Sequence, residues 1–87
     1  MKHAGQAALD QLEPLLMKIR AFAGLRDFTG LKEKSRGVFY YKSKPFLHFH
    51  EDPAGFFADV MYGNLSARLP VNTEKEREAL LRRIAKL

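Results

Sequence analysis

Apolar residues in the first quarter of the chain recur at helical spacing. Leu12, Leu15, Leu16, Ile19 and Phe22, with Ala23 alongside, form one stripe. Asp10 with Glu13 has the form of a capping box, and Pro14 suits a first turn, so the pattern predicts a helix from about residue 11 to just before Gly24. Residues 1–9 are expected to add a turn or to fray. A second helix is predicted at the other end of the sequence. Thr73 and Glu76 form a capping box, and Leu80, Leu81, Ile84 and Leu87 make the stripe. Arg82, Arg83 and Lys86 fall where the helix dipole favours cations.

Between the two helices the period changes from 3.6 to 2. Val38–Lys42, Pro45–His50, Gly55–Met61 and Leu65–Val71 are rich in β-branched and aromatic residues, and turn-forming residues separate them. A further short strand near Leu31–Glu33 is a weaker candidate. Hairpin pairing predicts Tyr40 opposite Leu47 and Val38 opposite Phe49, then Phe49 opposite Phe56 and Leu47 opposite Ala58. The last hairpin puts Val60 opposite Ala67 and Ala58 opposite Leu69. All these residues are apolar and share one face by alternation. The expected fold is therefore α+β. An N-terminal helix, a four- or five-stranded antiparallel meander and a C-terminal helix form a single domain over 1–87, with both helices on one face.

The same register sends Phe39, Tyr41, Phe46, His48, His50, Phe57, Asp59, Met61, Ser66 and Arg68 to the other face. An open antiparallel sheet ordinarily shows water a polar second face, so a concentration of aromatics there points to a binding surface. The residues expected to form it are Phe39, Tyr41, Phe46, His48, Phe57 and Arg68.

Composition narrows the chemistry. The absence of cysteine excludes disulfides, thiolate metal sites and a cysteine nucleophile. The net charge of +5 permits contact with nucleic acid or an anionic surface without requiring either. Charged residues interrupt the early apolar positions, so neither a signal peptide nor a spanning helix is expected, and a cytoplasmic location fits. No phosphate-cradling loop, nucleophile elbow or metalloprotease helix motif is present, and no enzymatic activity is expected.

The run His48-Phe49-His50-Glu51-Asp52 has a second meaning. Residues two apart on a strand share a face, so both imidazoles can reach one divalent metal ion, with Asp59 on the next strand as a third ligand. Exposed rings and basic residues also suit single-stranded nucleic acid, although the outer face has only Arg68 as a cation and no RNP-like pattern.

The core Gly37-Val38-Phe39-Tyr40-Tyr41-Lys42, Lys44-Pro45-Phe46-Leu47-His48-Phe49-His50-Glu51-Asp52-Pro53-Ala54-Gly55 and Phe57-Ala58-Asp59-Val60 resembles a small family of uncharacterised bacterial proteins. That resemblance implies no activity and transfers no functional residue. The plan is also similar in outline to frataxin-like folds, but the first helix lacks their acidic ridge. The function expected first is thus a non-enzymatic binding or assembly domain acting through its outer sheet face, with a second copy (a homodimer) or another protein as partner. Metal binding through His48, His50 and Asp59 comes next, and single-strand binding third.

Overall fold

The apolar stripe of the first helix reaches further back than its cap signal suggests. The computed structural model describes residues 2–25 and 31–86, with side chains described for 2–22 and 31–86. In it, α1 spans Gln6–Leu25. Ala8 and Leu9 continue the stripe of Leu12, Leu15, Leu16 and Ile19, and all six are buried. Burying those two residues favours helix over the frayed end expected for residues 1–9. Pro14 consequently sits inside the helix rather than in its first turn, where its missing N–H leaves the Asp10 carbonyl without an intrahelical donor. Residues before the helix are ordered too. Lys2–His3 form a two-residue strand, β1.

The remaining strands are β2 (Leu31–Ser35), β3 (Val38–Tyr41), β4 (Lys44–Asp52), β5 (Gly55–Tyr62) and β6 (Leu65–Pro70). They form an antiparallel meander in the order β2-β3-β4-β5-β6, and β1 pairs with β4. Among the described residues the sheet therefore has six strands rather than four or five. The weaker candidate strand at Leu31 is real, and the sixth comes from the segment expected to fray. The closing helix, α2, spans Glu74–Ala85 behind the expected capping box of Thr73 and Glu76. Leu87 lies outside the described residues.

Both helices share one core with one face of the sheet. Leu12, Leu15, Leu16 and Ile19 of α1 cluster with Leu80 and Ile84 of α2, and with Leu47, Phe49, Ala58 and Val60 of the sheet. Two arginines then tie the β2–β3 hairpin to α1. Arg20 bridges Glu13 and Glu33, and Arg36 donates to Gln6, Asp10 and Glu13. Among the described residues no helix is long and apolar enough to cross a membrane.

The three hairpins test the predicted register separately. The last is as expected, with Val60 opposite Ala67, Ala58 opposite Leu69 and Asp59 opposite Arg68. The middle one slides by two residues, because the turn tightens to Pro53-Ala54 between paired Asp52 and Gly55. A slide of two keeps every side chain on its face. It also moves Asp59 from diagonal to directly opposite His48.

The first hairpin changes faces. Tyr40 pairs with Pro45, but its neighbour Phe39 pairs with Leu47, so Phe46 is an extra residue on β4. Such a bulge places two successive side chains on one side and reverses the alternation beyond it. Phe39, Tyr41 and Phe46 therefore turn toward the helices instead of forming an outer binding surface. Phe39 and Phe46 are each 2% exposed within the core, and Tyr41 packs against it. Val38 and Tyr40 take the outer positions by the same reversal. Of the six residues expected on a binding surface, His48, Phe57 and Arg68 remain on the outer face.

Candidate metal centre

The strand β4 positions this site by alternation. Leu47 and Phe49 are drawn into the core, which commits His48 and His50 to the outer face. On one side, β5 places Asp59 opposite His48 and Phe57 opposite His50. On the other, β1 places His3 opposite His50. The chain has three histidines in all, and β1 and β4 bring every one of them to the same place.

The imidazoles are in mutual contact. The ring centroids of His3 and His50 are 4.7 Å apart in a stacked arrangement, those of His48 and His50 4.8 Å, and those of His3 and His48 5.6 Å. One nitrogen from each ring lies within 4.8 Å of its counterparts. The carboxylate closes the group from the β5 side. Asp59 Oδ2 is 3.0 Å from His50 Nε2 and 3.4 Å from His48 Nε2. Four ligands held tetrahedrally by bonds of about 2.0–2.1 Å are separated by about 3.3 Å. The two carboxylate–imidazole distances already match that edge, whereas the imidazole nitrogens, up to 4.8 Å apart, have to close in by more than an ångström to share an ion.

Electrostatics favour the ligating form of Asp59 and of His48. Arg68 donates to both Asp59 oxygens, which holds the carboxyl below its ordinary range and keeps it ionised. Burial pushes His48 below the ordinary histidine value. Asp59 pulls in the opposite direction, and the neighbouring His50, His3 and Arg68 add to the lowering. A neutral imidazole is the form that offers a lone pair to a cation.

His50 carries the most specific signal. It is 8% exposed, stacked against the His3 ring, and among the described residues neither of its ring nitrogens has a hydrogen-bond partner. Asp59 Oδ2 is close enough to Nε2 but off the direction of a hydrogen bond. Leaving a buried polar group unpaired costs about 1–3 kcal/mol, and such a group calls for an explanation. A ligand at one of these nitrogens is one.

The sequence-predicted set of His48, His50 and Asp59 thus converges. His3 was missed, because nothing in a histidine ahead of a helix announces that its segment pairs with a strand 47 residues further on. The available clue was numerical: a chain with so few histidines had placed two of them two residues apart. The register that sets Arg68 opposite Asp59 predicts a cross-strand ion pair, and the pair forms, with Arg68 clamping the carboxylate. Comparison with protein-family models, curated proteins and solved structures finds no match to the chain.

Proposed function

We propose that this protein binds a divalent transition-metal ion through His3, His48 and His50, with Asp59 as the carboxylate ligand. The observation that carries the reading is the convergence of all three histidines around His50, whose buried nitrogens have no hydrogen-bond partner among the described residues. An imidazole-rich set without thiolate suits zinc, nickel, copper or ferrous iron better than magnesium or calcium. The reading is of binding, and no reaction is ascribed to the site.

Isothermal calorimetry with zinc, and the visible absorption of bound cobalt, test it on the wild type and on His48→Ala and His50→Ala. Stoichiometric binding that disappears in both variants is expected, with far-UV circular dichroism unchanged. Equal heats in wild type and variants would end the proposal.

A second reading keeps the outer face as an assembly surface. It is supported by Phe57 and Met61, half-exposed beside the Asp59–Arg68 pair. Light scattering at two protein concentrations, with and without zinc, separates a face used for self-association from one open to an ion alone. The single-strand reading is weaker, since the rings of Phe39 and Phe46 are in the core and offer no stacking platform.

A further inference from the structure

The third histidine comes from a strand of only two residues. Lys2 pairs with Glu51 and His3 with His50. The Ala4 N–H donates to the Phe49 carbonyl at 3.0 Å. One further side chain secures both flanks of His3. Glu51 Oε2 accepts the Gly5 N–H at 2.7 Å, while Oε1 lies 3.7 Å from Lys2 Nζ.

Glu51 also faces the start of α1. The Leu9 N–H donates to the Gly5 carbonyl, so Gly5 stands at the entry to the helix, and α1 has no acidic residue in its own first turn. The Glu51 carboxylate supplies the missing negative charge next to the positive end of the helix dipole. Its position at the turn between strand and helix therefore has an electrostatic reason as well as a hydrogen-bonded one.

We propose that β1 is a clasp that closes over the metal ion, and that Glu51 is the positioning residue that holds the clasp. This rests on the metal reading and goes beyond it, by assigning how the site is assembled and what governs its affinity. Fixing each backbone residue costs about 1–2 kcal/mol, and the two-residue pairing of β1 with its flanking contacts has to offset that cost for the whole segment. An ion that bridges His3 to His48 and His50 binds only the docked state and shifts the population toward it. By reciprocity, whatever weakens docking lowers metal affinity by the same factor.

Amide hydrogen exchange measured by NMR on the full chain, with and without zinc chloride, tests the coupling alongside calorimetry. In the wild type, zinc should slow exchange at Ala4 and Gly5 by tenfold or more, while amides in the middle of α1 such as Leu16 stay unchanged. In His3→Ala the slowing should vanish, and residual binding through His48, His50 and Asp59 should remain. Glu51→Gln touches no ligand, yet should weaken zinc binding by about tenfold, in line with other residues that orient ligands. Zinc binding that leaves Ala4 and Gly5 exchange unaltered, or wild-type affinity in Glu51→Gln, overturns the clasp while the metal site stands. A wild type that takes up no zinc overturns both.

Discussion

Arg68 grips Asp59 with two hydrogen bonds, Nε to Oδ1 at 2.7 Å and Nη2 to Oδ2 at 3.0 Å. The pair lies in register across β5 and β6, so neither side chain has to reach. A bidentate arginine fixes the plane of a carboxylate as well as its charge. Asp59 is consequently presented to His48 and His50 in one orientation.

Arg68→Met should therefore reduce metal affinity without removing a ligand. A loss of about 10- to 100-fold is expected, as for other residues that orient a ligand. Asp59→Asn should lose more, because it removes the negative ligand itself. Zinc titrations of both variants by calorimetry check the order, and an Arg68→Met affinity equal to that of the wild type would contradict it.

Phe46 should behave as a core residue. Phe46→Ala is expected to cost about 3–5 kcal/mol, which urea denaturation measures directly. Phe46→Glu should fail to fold, with loss of far-UV and near-UV circular dichroism together. A soluble, folded Phe46→Glu protein would return the ring to the outer face and refute the bulge.

Acid should loosen the attachment of the β2–β3 hairpin to α1. Arg20 hydrogen bonds hold both Glu13 and Glu33 below the ordinary glutamate range; Arg36 adds to the effect at Glu13 and the Gly37 amide at Glu33, while burial opposes it in each. A carboxyl depressed by folding contributes stability that is complete above its unfolded value, about 4.3 for glutamate, and is lost as pH falls through the folded value. The stability that these ion pairs supply should thus be steady from pH 7 to 5, and the urea midpoint should drop toward pH 3. In Arg20→Met the drop should be shallower, so the two proteins converge in acid. Parallel curves would exclude the arginine as its source.

Two backbone substitutions should act in opposite directions. Lys42 and Ser43 form a two-residue hairpin turn with φ of 52° and 68°, a region unfavourable for side chains other than glycine, asparagine or aspartate. Ser43→Gly should raise stability by about 0.5 kcal/mol after allowing for the greater freedom of glycine in the unfolded chain. Gly37 has φ of 78°, and a Cβ there would meet Leu9 Cδ2 at 2.7 Å. Gly37→Ala should therefore destabilise by about 1–3 kcal/mol. Thermal melts of both variants against the wild type provide the check.

Much of this architecture was legible because local signals agreed with one another. The capping box at Thr73 and Glu76 and the stripe through Leu80 and Ile84 placed α2 without any tertiary information. Gly63-Asn64 placed the last hairpin in the right register, since its two-residue loop leaves one way to pair the strands. The middle turn is two residues shorter than the pattern predicts, which changes the partners of His48 and His50 but not their face. What escaped were features decided at a distance. A bulge leaves no mark in a run such as Pro45-Phe46-Leu47, where either face accepts a phenylalanine. The start of α1 was drawn to Asp10 because a cap signal is local, whereas the burial of Ala8 and Leu9 depends on the sheet beneath them. His3 was invisible for the same reason, its meaning residing in a strand pairing across most of the chain.

The surplus residue in β4 works as a sorting device. By adding one position to one strand, it directs Phe39, Phe46 and Tyr41 to the helices and hands the opposite side of the sheet over to imidazole and carboxylate. Oil and ligands are thereby kept apart by arithmetic rather than by composition, since the same residues at the same spacing without the insertion would have crowded both onto one surface. Pairing the same residues without the bulge, Tyr40 opposite Leu47, would turn the β2–β3 hairpin over, bury Val38 and Tyr40 in place of Phe39 and Tyr41, and set large rings beside His48, where an arriving ion needs open water.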